Sequence, residues 1–84
     1  MGKHIDYEEF RRYIMIYLYH NRNVKYVEKR TLTKLQKDLK VNITTLNCGL
    51  YELKGMKFID FIKTGNRKLW YLTELGLKEI ENKG

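Results

Sequence analysis

Apolar positions recur at helical spacing in the first quarter of the chain. At about 100° per residue, Tyr7, Phe10, Tyr13, Ile14, Tyr17 and Leu18 share one broad face, which predicts an amphipathic helix over residues 7–20 with that face in the core. Asp6 stands at its cap position with Glu9 three residues on, and Ile5 is placed to staple onto Phe10. Met15, Ile16 and Tyr19 fall on the opposite side beside Arg11 and Arg12, leaving an apolar strip that an isolated helix does not expose comfortably. That strip is read as a subunit contact.

After the turn-forming His20-Asn21-Arg22-Asn23, the alternation of Val24-Lys25-Tyr26-Val27 predicts a short strand. Thr31 and Thr33 are two possible caps for a second helix, Thr33 having Gln36 at capping-box spacing, and Leu32, Leu35 and Leu39 mark its buried side. Asn42 then caps a third helix over residues 43–55, where Ile43, Leu46, Leu50 and Leu53 recur at spacings of 3, 4 and 3 as a buried stripe. The side facing away carries Thr44, Thr45, Cys48, Tyr51 and Glu52, with Asn47 and Lys54 at its margin. Short hydrogen-bonding groups and one flat ring in place of Glu/Lys pairs suit close approach to another surface.

Two β-branched and aromatic runs follow, Phe58 to Lys63 and Lys68 to Leu72, separated by Thr64-Gly65-Asn66-Arg67. Gly-Asn between such runs is a tight-hairpin signal. Thr73 caps a last helix with Leu72 placed to staple onto Leu77, and Ile80 continues its apolar side. The predicted class is α+β, mainly α, in one domain over residues 1–84.

Charge changes the picture most. The chain of 84 residues carries a net +7, and residues 21–71 hold twelve Lys and Arg against four acids, while the two ends together hold five basic and six acidic residues. A polyanion would meet the middle of the molecule, although a solvated lysine-rich surface produces the same totals. No apolar run approaches the ~18 to 20 residues of a membrane span, and the charged N-terminus resembles neither a secretory leader nor a myristoylation site. Cys48 is the single cysteine, so an internal disulfide is impossible and a reducing, cytoplasmic setting is expected. So small a core is helped by a partner subunit, which makes a homodimer the expected state.

The order of these elements is that of the winged helix-turn-helix fold: a three-helix core, a two-stranded wing hairpin and a C-terminal helix. Residues 35–59 (LQKDLKVNITTLNCGLYELKGMKFI) resemble the family's helix-turn-helix, and residues 65–76 (GNRKLWYLTELG) resemble the wing's second strand running into the last helix of marR-like and padR-like regulators. Nearly the whole chain is covered, and it is similar to small single-domain regulators of archaea and their viruses. Two positions depart from the pattern: Lys57 stands where the family places Gly, and Cys48 where relatives often carry Arg, so the bidentate guanine contact is lost there.

The resemblance implies transcription regulation by duplex DNA binding, with Thr44, Thr45, Asn47, Cys48 and Tyr51 toward the major groove. Lys34, Lys37 and Lys54 then hold the DNA backbone, and the wing at Gly65, Asn66, Arg67 and Lys68 lies on the backbone or in a minor groove. It also implies a dimer interface of Met15, Ile16 and Tyr19 with Leu75 and Ile80. The alternative is a winged-helix module that uses the same basic face on an acidic protein partner. Other chemistries are weaker. His4, His20 and Cys48 have no metal-ligand spacing, no nucleophile or phosphate-loop motif is present, and no cofactor or small-molecule effector is indicated, so the chain reads as a non-enzyme. Cys48 as a redox switch and the aromatic residues as a single-strand stacking platform are minor readings beside a plain surface residue and a core.

Overall fold

The computed structural model describes residues 6–22 and 30–83, so the strand expected at 24–27 and the Ile5 staple lie outside the described residues. Four helices and a two-stranded antiparallel hairpin make a mainly helical α+β fold: α1 Tyr7–His20, α2 Leu32–Leu39, α3 Ile43–Gly55, β1 Ile59–Thr64, β2 Arg67–Leu72 and α4 Glu74–Lys83. Among the described residues no helix is long and apolar enough to cross a membrane.

Side-chain caps set the helix starts. Asp6 accepts from the Glu9 backbone N–H at 3.2 Å, Asn42 from that of Thr45 at 2.8 Å, and Thr73 from that of Gly76 at 3.1 Å. Each satisfies a donor that the first helical turn leaves without an intrahelical partner. Of the two threonines before α2, Thr31 is the cap, accepting from Lys34 N–H at 3.4 Å, which starts the helix two residues earlier than a Thr33 cap allows. Thr31 also forms an antiparallel bridge to Leu69, which ties the head of α2 to the hairpin.

The end of α3 combines two features at the departure noted in the sequence. The helix runs to Gly55, and Lys57 takes a left-handed φ of 68°. Lys57 N–H bonds the Lys54 carbonyl at 2.9 Å and Phe58 N–H bonds the Leu53 carbonyl at 3.1 Å. This pair of bonds is the Schellman closure, here built with lysine at the position that glycine fills at least cost. The chain turns directly into β1. The hairpin pairs Thr64 with Arg67 across Gly65-Asn66, and the positive φ of 60° falls on Gly65 alone, the signature of a type II′ turn.

The core is one cluster around α1, which packs against α3, α4 and β2. Phe10, Ile14, Leu18, Leu35, Leu46, Leu50, Leu53, Ile59 and Trp70 are buried, as is Met15 at 5% exposure. Met15 therefore belongs to the core and not to an exposed strip, and Ile16 and Tyr19 are half-buried. The reason is α4, which returns onto α1 and draws the buried arc toward the Met15 side. The opposite margin is left open: Tyr13 is 51% exposed, and Tyr7, in the first turn, 50%. Both differ in this from the core face that their spacing in the sequence predicts. Ile43, expected in the α3 stripe, is 39% exposed because it is the first residue of the helix, ahead of the packed turns.

Candidate nucleic-acid interface

The head of α2, the outward side of α3 and the hairpin tip enclose an open cleft of about 640 Å³. Among the described residues its charged lining is Lys34, Lys37, Arg67 and Lys68, with no acid; Thr31, Thr33, Asn47, Tyr51 and Asn66 supply polar groups and Trp70 part of the wall. The backbone brings them together by three devices: the Thr31 cap and bridge, the α3 start fixed by Asn42, and the two-residue turn that carries Arg67 and Lys68 back beside α3.

Tyr51 and Lys68 meet across the cleft. Lys68 Nζ donates to Tyr51 Oη at 2.7 Å and stands 4.8 Å from the Phe61 ring centroid. The Tyr51 ring lies edge-on to Trp70, with centroids 5.5 Å apart and planes at 88°. An aromatic wall under an ammonium group favours the cation electrostatically. On the α2 side, Lys34 Nζ lies 3.7 Å from Asp38 Oδ1, while Asp38 Oδ2 accepts from Tyr17 Oη at 2.6 Å. Burial, and then the bond to Asp38 and its charge, push the Tyr17 phenol well above its ordinary value of 10.0.

The predicted site residues divide. Asn47, Tyr51, Lys34, Lys37, Asn66, Arg67 and Lys68 share the cleft. Thr44 and Cys48 are exposed and, with Tyr51 at successive spacings of 4 and 3, follow the ridge of α3 that faces furthest from the core. Thr45 is half-buried on the flank shared with Glu52, whose carboxylate binds Arg11 of α1 at 2.9 Å. Gly65 is exposed at the hairpin tip. Lys54 does not join the cleft: its ammonium group pairs with Asp60 at 3.9 Å and faces Phe61 at 5.7 Å. Thr31 and Trp70 line the cleft and the Phe61 ring backs Lys68, roles invisible in the sequence because they depend on the fold bringing β2 against α2 and α3.

A second depression, about 340 Å³, runs between α1, the end of α3 and α4. Met15, Ile16 and Ile80 of the expected subunit contact line it, together with Met56 and Phe58. Tyr19 and Leu75 do not; Tyr19 instead stacks under the Arg22 guanidinium, 3.8 Å from its ring centroid. The charged rim of this groove holds Glu8, Arg11, Arg12 and Glu79. Among the described residues no three His, Cys, Asp or Glu side chains converge as metal ligands do. Compared with models of known protein families, with curated proteins and with solved structures, the chain matches none.

Proposed function

We propose that the chain is a winged helix-turn-helix regulator that reads duplex DNA with α3, steadies it with the β1–β2 wing, and works as a homodimer. The observation that carries this reading is the cleft itself: among the described residues, four cations and no acid line it, set around one helix side that offers Asn47 and Tyr51. Phosphates need the first, and base edges need the second. Thr44 and Cys48 on the outermost ridge of α3 are then the side chains that penetrate the groove furthest, with Thr methyl groups suited to thymine and Asn47 to adenine.

The proposed subunit contact is the apolar groove, with Ile16, Ile80 and Met56 at its centre and Met15 as its floor. A chain of net +7 repels its own copy over most of its surface, but the groove rim balances two cations with two acids. A two-fold axis allows the acids of one rim to meet the cations of the other twice over, which favours a second copy as the occupant.

Titration of a fluorescein-labelled random duplex with the protein over a range of salt tests the function. Four cations per chain and two chains predict log K falling against log salt with a slope of about −7. Replacing Lys37 and Arg67 together by Ala shallows it by about 2 units per chain. Failure to bind duplex at protein concentrations of about 10⁻⁴ M sinks the reading and leaves the acidic-partner alternative.

A further inference from the structure

We infer that Tyr51 and Lys68 form a single phosphodiester-binding pair, so that one backbone phosphate of the duplex is held by the reading helix and the wing at once; this deepens the DNA-binding reading and rests on it. Tyr51 on α3 and Lys68 on β2 stand 17 positions apart in sequence and meet at 2.7 Å. Lys68 is half-buried and has no carboxylate partner among the described residues; its contacts are the Tyr51 hydroxyl and the faces of Tyr51 and Phe61. An ammonium group has three donors, and one of them serves Tyr51. The phenol oxygen, accepting that bond, keeps its own proton to donate, and no described residue accepts it.

The unspent donors therefore sit on two adjacent heavy atoms, and the charges lining the cleft around them are all positive. Two neighbouring donors suit the two non-ester oxygens of one phosphate, and the field selects an anion. Trp70 fixes the tilt of the Tyr51 ring by its edge-on contact, so the hydroxyl is aimed before any ligand arrives. The open shape of the cleft, with Lys34, Lys37 and Arg67 also on its lining, suits an extended polyanion in place of a small enclosed one. One consequence is mechanical. A phosphate shared by helix and wing fixes the pitch of α3 in the groove, whereas separate phosphates leave the two elements free to shift independently.

The test uses the full chain and a duplex selected from a random pool, with phosphates replaced one at a time by neutral methylphosphonate. In wild type several positions should be sensitive, and at one position in each half-site, the phosphate held by the pair, neutralisation should weaken binding about tenfold. Y51F, which keeps the ring and its contact with Trp70, and K68M should each bind the unmodified duplex about tenfold more weakly and lose sensitivity at that same position. Y51F/K68M should be no weaker than K68M alone, whereas independent contacts multiply to about a hundredfold. Sensitivity lost at two different positions, or a multiplicative double variant, overturns the pair. Duplex binding unchanged in both single variants overturns the pair and leaves the DNA reading standing, while absence of duplex binding by wild type removes both. Inorganic phosphate at millimolar concentration, followed by fluorescence of the single tryptophan Trp70 in the cleft wall, should leave the signal unchanged. A Tyr51-dependent response to phosphate alone overturns the assignment to a duplex.

Discussion

The basic cleft and the apolar groove are of the same order of size and lie on one small chain, yet their construction is opposite. Apart from the buried Trp70, the cleft is walled by half-buried and exposed residues, and among the described residues four cations and no acid line it. The groove is walled by the core itself: Met15 and Leu53 are buried members of the main cluster, Phe58 and Ile80 pack against it, and the rim charges balance. A surface of the first kind is changed by substitution with little effect on folding, and a surface of the second kind is not. The molecule thus separates attraction for an anion from attraction for a neutral apolar surface, and the two are open to separate attack.

The largest effect expected is on the groove side. A Cβ at Gly76 would stand 2.0 Å from the Phe58 carbonyl oxygen, which is backbone and already accepts from Thr73 N–H at 3.0 Å. Neither atom can give way without opening the junction between β1 and α4. Gly76→Ala is expected to destabilise by about 3 kcal/mol, at the upper end of the usual overpacking cost, measured by urea denaturation. Lys37→Ala and Arg67→Ala, both on exposed cleft residues, should stay within about 0.5 kcal/mol of wild type in the same measurement. Equal losses on the two sides would erase the contrast.

A crossed pair of substitutions sharpens it. Ile16→Glu places a charge in the groove and should leave the chain monomeric by sedimentation at micromolar concentration. Asn47→Ala should leave self-association unchanged and weaken a selected duplex by about 1–3 kcal/mol, with random duplex within a few tenths, because the lost bonds are to bases while the cations remain. If Ile16→Glu remains a dimer, the groove is not the subunit contact. If Asn47→Ala weakens both duplexes alike, the carboxamide holds phosphate.

Much of the groove and cleft was legible wherever the cause was local. The caps Asp6, Asn42 and Thr73, the Leu46-Leu50-Leu53 stripe and the Gly65-Asn66 turn each follow from residues within a few positions of one another. The burial of Met15 was not legible, because it depends on where α4 lands, and periodicity within α1 carries no information about that. The same limit separates Asn47 and Tyr51 from Thr44 and Cys48. All four lie outside the α3 stripe, and only the return of the hairpin decides that the first two face the cleft. Lys54 looked equivalent to Lys68 by charge, yet Asp60 on β1 takes it and the Tyr51 hydroxyl takes Lys68.

A smaller gain is expected where the groove side retains strain. Lys57 holds a left-handed φ of 68°, for which a side chain costs roughly 1–2 kcal/mol that glycine does not incur. Its carbonyl, which accepts from Thr73 Oγ1 at 2.6 Å, is retained in Lys57→Gly. That variant should stabilise the fold by about 1 kcal/mol after the loss of glycine's greater freedom in the unfolded chain. Duplex affinity should hold, since Lys57 is outside the cleft.

The smallest effect concerns what keeps the cleft free of acid. Asp38 is the carboxylate within reach of Lys34, and it is shared: one oxygen lies 3.7 Å from that ammonium group while the other accepts from Tyr17 at 2.6 Å. The Tyr17 bond holds the carboxylate on the core side. Tyr17→Phe removes that hold and lets Asp38 pair more fully with Lys34, so random-duplex affinity at low salt should fall by about twofold, the scale of one exposed ion pair. The same bond leaves a mark on stability. Because the native phenol titrates above its ordinary value of 10.0, its contribution is complete below pH 10. Above that pH the unfolded chain releases the Tyr17 proton while the native state still holds it, and the contribution falls as the pH rises toward the native value. The stability difference between wild type and Tyr17→Phe should therefore be flat from pH 7 to about 9 and narrow from about pH 10 upward. A difference that stays constant through pH 11 would mean that neither burial nor the bond to Asp38 raises the Tyr17 phenol, and the hold on Asp38 would lose that support.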